Sequence, residues 1–170
     1  MQEEQQRKEA EEARRQEEAD IARRANEARE AARRAQEAAA QAERDWIASI
    51  PTGPEGLRKQ ISILKEHTKD DLSAQKTALK SLLQIFTQIF QHPEEVNFRR
   101  IRRDHPQFNQ DIGRHKGGRE IFIAAGFKLT TLDDVPVFFS KEPDIESDMD
   151  GWSLWFDNLK VNLEVVKSMQ

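Results

Sequence analysis

Hydrophobic side chains are distributed unevenly along the chain, and their distribution divides it into two parts. Residues 1–45 contain, after the initiator methionine, a single large apolar side chain, Ile21, whereas Leu, Ile, Val, Phe and Trp are frequent from Trp46 onward. A Pro-Thr-Gly-Pro sequence follows shortly afterwards and breaks any helix that reaches it. The pattern therefore predicts a charged helical segment over residues 1–50 and a domain with one modest core over residues 51–170.

The first segment is built almost entirely from Glu, Arg, Ala and Gln, which are strong helix formers, and no Gly or Pro interrupts it. Side chains of opposite charge recur four residues apart, and each such pair stabilises a helix by roughly 0.2–0.5 kcal/mol. The pairs are Glu3 with Arg7, Glu4 with Lys8, Glu11 with Arg15, Asp20 with Arg24, and Glu30 with Arg34. We therefore expect one long helix.

An alanine seam runs along the second half of this predicted helix, with alternating spacings of four and three residues. It consists of Ala28, Ala32, Ala35, Ala39 and Ala42, and Trp46 continues it. The spacing is that of a coiled coil, but alanine buries little area and would hold two helices only weakly. Two interpretations stay open: a solvated single helix that acts as a stalk, and a weak coiled-coil dimer. We expect the end of the helix, from Trp46 to Ile50, to dock onto the domain.

In the second part, apolar residues at helical spacing predict a series of helices. They cover residues 55–67, a core helix from Asp70 or Asp71 to just before Pro93, a helix from Pro93 through Phe98 and Ile101 to the arginines, a short helix from Pro106, a helix from Gly118 to Gly126, and residues 150–168. Alternating residues predict two strands, 127–131 and 135–140, joined at Asp133-Asp134. Pro136 favours an edge strand. The predicted fold class is α+β, mainly helical, with a small antiparallel sheet.

Composition argues against a catalytic or cofactor-dependent protein. The chain has no cysteine, which excludes a thiol nucleophile and a thiolate metal site, and its four histidines show no paired ligand spacing. It lacks a Gly-x-Ser-x-Gly motif, and Gly117-Gly118 lacks the Gly-Lys-Ser/Thr ending of a phosphate-binding loop. No apolar run is long enough to span a membrane, and no secretory signal is present. We therefore expect a cytoplasmic or nuclear protein that is not an enzyme and binds no cofactor.

Basic residues are concentrated in one stretch of a chain whose net charge is −4. Residues 98–119 hold seven basic and two acidic side chains, including Arg99, Arg100, Arg102 and Arg103. Arginine presents a planar fork that suits a carboxylate or a phosphate, so the pattern predicts an anion site. On the predicted helix, Arg99 and Arg102 would share one face. Both a peptide-binding module and a nucleic-acid-binding module remain open, but the aromatic residues nearby favour a peptide end.

The same stretch resembles the PUB (or PUG) domain found in peptide:N-glycanase and in UBX-type adaptors. The shared pattern lies between about Leu79 and Phe127, and residues 1–50 lie outside it. It consists of His92-Pro93-Glu94-Glu95, Phe98-Arg99-Arg100-Ile101-Arg102, His105-Pro106-Gln107-Phe108, Gly117-Gly118-Arg119 and Gly126-Phe127.

The resemblance implies a helical domain with a small sheet that binds the C-terminal tail of a valosin-containing-protein type AAA ATPase, or a related acidic motif. The matching pocket positions are Phe98, Arg102, His105 and Phe108, with Arg102 meeting the peptide carboxylate. Two positions depart from the family: Phe98 replaces a tyrosine and His105 an asparagine. The implied role is an adaptor in ubiquitin-linked protein quality control, such as endoplasmic-reticulum-associated degradation.

Overall fold

The computed structural model describes residues 1–170, and the chain forms two compact units, Met1–Trp46 and Ile47–Gln170. The first unit is one continuous helix, part of α1 (Gln2–Ala48), with no buried residue. The predicted long helix is therefore confirmed. The pairing of its alanine seam with a second copy stays a prediction.

Ion pairs along α1 follow the predicted spacing in part. Lys8 lies 3.6 Å from Glu4, Arg15 lies 3.0 Å from Glu11, and Arg34 lies 3.7 Å from Glu30. The pair expected between Asp20 and Arg24 is not formed, because Asp20 contacts Arg23 at 3.5 Å, and Glu3 forms no ion pair with Arg7. All these side chains are exposed, so α1 depends on its helix-forming composition and on several weak pairs rather than on packing.

The second unit is a helical domain around a small sheet. Its main helices are α2 (Pro54–His67), α3 (Leu72–Gln91), α5 (Gly118–Ala124) and α6 (Met149–Ser168), and a short helix α4 (Pro106–Phe108) continues into a π-helical turn, Asn109–Gly113. Asp71 caps α3 by accepting a hydrogen bond from the Ala74 N–H at 3.0 Å, as its position predicted. Leu72, the first residue of α3, is 71% exposed and does not join the apolar face of the helix. None of the helices combines the length and apolar character of a membrane span.

The sheet has three strands, one more than the sequence predicted. They are β1 (Arg100–Arg102), β2 (Lys128–Leu132) and β3 (Val135–Phe139), antiparallel in the order β1-β3-β2. The edge position inferred for Pro136 is therefore wrong, since β3 is central. A proline is tolerated there because it lies opposite Arg103, just past the end of β1, where its missing N–H interrupts no bond of the short β1 ladder.

The predicted helix from Pro93 to the arginines is also wrong. Residues Val96–Arg99 form one turn of 3₁₀ helix and the chain then enters β1. The turn between β2 and β3, in contrast, lies where predicted. Asp133 and Asp134 adopt positive φ angles of 50° and 62°, as a two-residue hairpin turn requires, and aspartate tolerates this conformation better than most residues.

Aromatic rings form the centre of the core. Phe122 of α5 is fully buried, and its ring centroid lies 5.4–5.7 Å from those of Phe108, Phe86, Phe127 and Phe138. Around this cluster pack the apolar faces of α2, α3 and α6, including Leu57, Ile61, Leu64, Leu82, Ile89 and Val166. The core therefore joins the helices to the inner face of the sheet, directly behind the segment that carries the basic residues.

One histidine is enclosed by the domain. His115 is 7% exposed, its Nε2 atom has no hydrogen-bond partner, and its ring lies 5.8 Å from that of His67. Burial lowers the pKa of His115 below the ordinary 6.5, the neighbouring Arg114 and His67 lower it further, and Asp71 opposes them. His115 is therefore neutral in the folded domain at pH 7.

This depressed pKa predicts that His115 makes the domain less stable in acid. In the unfolded chain His115 takes up a proton as the pH falls through 6.5, whereas the folded domain resists protonation until the pH is lower, so stability is lost over that interval. We expect the wild type to lose more stability between pH 7 and pH 5 than His115→Leu does, in urea unfolding followed by tryptophan fluorescence. His92→Gln removes an exposed histidine and serves as the control. Equal losses in the wild type and His115→Leu would contradict the prediction.

Candidate functional site

A cleft of about 380 Å³ lies between α3, β1 and α4. All four residues singled out in the sequence, Phe98, Arg102, His105 and Phe108, line it. They come from three local structures: the 3₁₀ turn carries Phe98, β1 carries Arg102, and α4 ends with Phe108 and is preceded by His105. The structure therefore brings the four positions together around one opening, with more apolar than polar surface.

Arg102 is the free cation of this cleft. Its side chain is exposed, and its guanidinium makes no hydrogen bond or ion pair within the domain. Because side chains alternate between the two faces along a strand, the residues on either side of Ile101 present their side chains on the same face, and Arg100 therefore accompanies Arg102. An unpaired arginine beside apolar walls is suited to a carboxylate, which it can bind with two parallel hydrogen bonds.

His105 lies at the mouth of the cleft and caps the N-terminus of α4. Its Nδ1 atom accepts a hydrogen bond from the Gln107 N–H at 3.2 Å and so caps α4, whose first residue is Pro106. An asparagine can cap a helix with its side-chain oxygen in the same manner, which explains why histidine is accepted at this position. The cap requires an unprotonated Nδ1, and this fixes the tautomer of the neutral ring.

The two aromatic positions differ in their surroundings. Phe108 is 7% exposed, packs edge-on against Phe122 at 5.4 Å, and belongs to the core as well as to the floor of the cleft. Phe98 is half-buried, and its ring lies 5.8 Å from that of His92. Phe98 therefore forms an accessible wall against which an apolar side chain can pack, whereas Phe108 supports that wall from below.

The remaining arginines of the basic run do not act together with Arg102. Arg99 is 3% exposed and donates to the backbone carbonyls of Pro93 and Ser140. Arg103 pairs with Asp104 at 3.0 Å, and Arg119 reaches the same carboxylate at 3.3 Å. These two contacts help to hold the pKa of Asp104 below its usual range, chiefly through the hydrogen bond from Arg103. The helix faces expected for the arginines are therefore wrong. Arg99 is internal, Arg103 is neutralised by Asp104, and Arg100 and Arg102 share a face.

Sequence reasoning missed the wall of the cleft that α3 contributes. Ser81, Gln84, Ile85 and Gln88 recur along one face of α3 and line the opening. Ser81 donates to Asp111 Oδ2 at 3.0 Å, and Gln107 donates to Asp111 Oδ1 at 2.9 Å. This polar link ties α3 to α4 and fixes the width of the cleft. The polar residues spaced along α3 opposite its apolar face could have indicated this wall. Every solvated helix face shows the same spacing, so the pattern alone does not predict a cleft.

Comparison with known families decides what this arrangement is. Residues 72–151 match the sequence model of the PUB domain. This part of the chain is a PUB domain. The matched range contains α3, the sheet and all four cleft residues, and PUB is a protein-interaction domain rather than a catalytic one. None of the curated proteins searched matches the chain.

Proposed function

We propose that the cleft of this PUB domain captures the C-terminal tail of a partner protein, and that Arg102 binds the terminal carboxylate. The observation that carries the proposal is an unpaired arginine at the opening of a cleft that also presents the aromatic rings of Phe98 and Phe108. An exposed cation without a carboxylate partner, next to aromatic side chains, is suited to an anionic group with an apolar neighbour.

The partner that we propose is a valosin-containing-protein type AAA ATPase, or a protein with a similar short acidic motif. The PUB domain would then act as an adaptor in ubiquitin-linked protein quality control, in the cytoplasm or nucleus, with α1 as a charged stalk. In such a complex the half-buried ring of Phe98, which lacks a hydroxyl, would pack against an apolar or aromatic side chain of the tail without a hydrogen bond to it.

Nucleic-acid binding, the alternative raised by the arginine run, is less well supported. A phosphate backbone is bound by several basic side chains on one surface. Here Arg99 is internal and Arg103 is paired with Asp104, so the run offers two exposed arginines without a carboxylate partner, Arg100 and Arg102. The guanidinium of Arg100, in addition, lies 5.3 Å from the centroid of the Phe139 ring. The exposed charge of this surface fits one carboxylate better than a row of phosphates.

Arg102→Ala tests the proposal. We expect the wild-type chain to bind a short acidic peptide ending in Leu-Tyr-Gly, and Arg102→Ala to bind it at least tenfold more weakly, because a charge-assisted hydrogen bond is worth about 1.5–3 kcal/mol. Arg114→Ala is the matched control, since it removes an exposed arginine of the same basic stretch that does not line the cleft. Isothermal titration calorimetry measures all three affinities.

Two further measurements separate the peptide from the nucleic-acid interpretation. The same peptide with an amidated C-terminus should bind no better to the wild type than the free acid binds to Arg102→Ala. Raising the salt concentration should weaken peptide binding only modestly, whereas phosphate binding falls steeply with salt. Equal binding of the peptide by the wild type and Arg102→Ala would refute the proposed site.

A further inference from the structure

A second hollow adjoins the cleft on the other side of Arg100 and Arg102. It has a volume of about 310 Å³ and is lined by Asn97, Arg100, Arg102, Leu132, Asp133, Val135 and Val137. Asn97, Arg100 and Arg102 line the first cleft as well. The two hollows therefore share one wall, which is formed by these three residues. We call the second one the hairpin hollow.

The backbone of β1 is open along this shared wall. On either side of β1, the Ser140 N–H donates to the Arg99 carbonyl at 3.1 Å and the Arg103 N–H donates to the Pro136 carbonyl at 3.0 Å. The backbone groups of every second residue therefore face β3, and within β1 this residue is Ile101. In an antiparallel ladder the intervening residues face the other way. The carbonyl of Arg100 and the N–H of Arg102 therefore point to the open edge of the sheet. The Arg100 N–H and the Arg102 carbonyl are already satisfied, by Asn97 and His105 respectively.

This donor and acceptor are spaced to pair with two alternate residues of an extended chain. In an antiparallel arrangement, one peptide residue donates its N–H to the Arg100 carbonyl, and the residue two positions upstream accepts from the Arg102 N–H. The upstream part of such a peptide lies at the Arg102 end of β1, next to the β2–β3 hairpin, because Val137 is opposite Arg102 and Val135 lies beyond it. Edge strands commonly bind extended peptides in this manner, through backbone bonds that add affinity and neighbouring hollows that select side chains.

The hairpin hollow is suited to an aliphatic side chain. Leu132, Val135 and Val137 form its apolar wall, and Val137 is only 4% exposed. The charged residues at its rim are Arg100, Arg102 and Asp133, of which Arg100 covers the ring of Phe139 with its guanidinium. An apolar floor with a charged rim selects an apolar side chain whose flanking backbone remains polar.

We propose that the bound peptide is longer than the cleft: it runs antiparallel along the open edge of β1 as an extended chain and places an upstream aliphatic side chain in the hairpin hollow. The inference rests on the proposed function, because the cleft must hold the C-terminus for an upstream residue to reach β1. It assigns Leu132 and Val135 as residues that determine specificity for the upstream side chain. It also assigns two roles to Arg102: the backbone N–H binds the backbone of the peptide, and the side chain binds the terminal carboxylate.

A leucine walk tests the inference. The probes are decapeptides that end in Leu-Tyr-Gly and carry Gly and Ser upstream, with a single leucine moved through the upstream positions. We expect one position to increase affinity at least fivefold over the peptide without leucine, and Val135→Thr to abolish that increase while it leaves the affinity of the tripeptide Leu-Tyr-Gly unchanged. Thr131→Val serves as the control, because it alters an exposed hairpin side chain that does not line the hollow.

NMR titration gives a second readout that does not depend on a variant. The decapeptide with the best leucine should shift the Val135 methyl resonances, whereas the tripeptide should shift only the residues of the cleft. If the tripeptide binds but no leucine position improves affinity and the Val135 methyls do not shift, the inference is wrong and the proposed function stands. If neither peptide binds, the proposed function fails and the inference fails with it.

Discussion

Replacing Arg99 by methionine is expected to lower the free energy of unfolding by about 3 kcal/mol, whereas the same change at the neighbouring Arg100 alters it by about 1 kcal/mol or less. The two arginines are consecutive in the sequence and identical in chemistry. Their surroundings are opposite, because Arg99 is 3% exposed and Arg100 is on the surface.

The effect at Arg99 follows from the groups that its guanidinium satisfies. Nε donates to the Pro93 carbonyl at 3.1 Å, a terminal nitrogen donates to the Ser140 carbonyl, and the other lies 3.6 Å from Glu142 Oε2. The guanidinium also stacks over the Trp155 ring at 5.3 Å. Methionine fills much of the volume but donates no hydrogen bond, and each buried carbonyl left without a donor costs about 1–3 kcal/mol.

Arg99 must also remain charged inside the domain. Burial lowers the pKa of its guanidinium, Glu142 counteracts this effect, and Arg100 adds to it. A buried charge that loses its partner is strongly destabilising, so Glu142→Gln should reduce stability in the same direction as Arg99→Met but by less, since Glu142 is more exposed.

Urea unfolding of the three variants at pH 7, followed by tryptophan fluorescence and by circular dichroism, measures these differences. Coincident transitions by the two probes would establish that the second unit unfolds in one step. Equal stability losses at Arg99 and Arg100 would show that the carbonyls of Pro93 and Ser140 find other donors, and would contradict the role given to Arg99.

The arginine run also shows where sequence reasoning ends. Charge alone predicted an anion site, and the resemblance carried by Phe98, Arg102, His105 and Phe108 selected residues that the structure places around one cleft. No local pattern distinguishes Arg99 from Arg102, because the burial of Arg99 depends on Ser140, which is 41 residues away in the sequence.

Local signals were reliable where one physical effect dominates. The composition of residues 1–45 predicted α1, the apolar spacing predicted α2, α3 and α6, and the Asp133-Asp134 pair predicted the hairpin turn. Strand β1 was missed because its three residues are held by pairing with β3, and the spacing of Phe98 and Ile101 fits a helix equally well. The position of Pro136 was misjudged for the same reason, since β1 alone makes β3 a central strand.

A comparison of two glycines gives the second large effect. Gly117→Ala is expected to destabilise the domain by about 3 kcal/mol and Gly126→Ala by about 1 kcal/mol. Both glycines have positive φ angles, 87° and 97°, so both substitutions carry the cost of placing a side chain in the left-handed region. The substitutions differ only in what the new methyl group meets.

At Gly117 the methyl group would meet the backbone of α2. A Cβ atom there would lie 2.6 Å from the Gln60 carbonyl oxygen and 3.0 Å from the Leu64 nitrogen, whereas no atom lies within 4 Å of a Cβ at Gly126. A backbone helix does not yield as a flexible side chain does, so the turn before α5 must separate from α2, at a cost of about 1–3 kcal/mol beyond the conformational strain.

The difference between the two variants therefore measures how closely the turn before α5 packs on α2, with the conformational cost cancelled. The free energy of unfolding of each is obtained by urea titration, and hydrogen exchange of the α2 amides locates the disturbance. We expect faster exchange in α2 for Gly117→Ala alone. Gly117 adjoins the helix that places Phe122 in the aromatic core, and Phe122 packs against Phe108, the floor of the cleft. A domain that tolerates Gly117→Ala as well as Gly126→Ala would show that α2 can move away without loss, and that this core does not fix the position of the cleft.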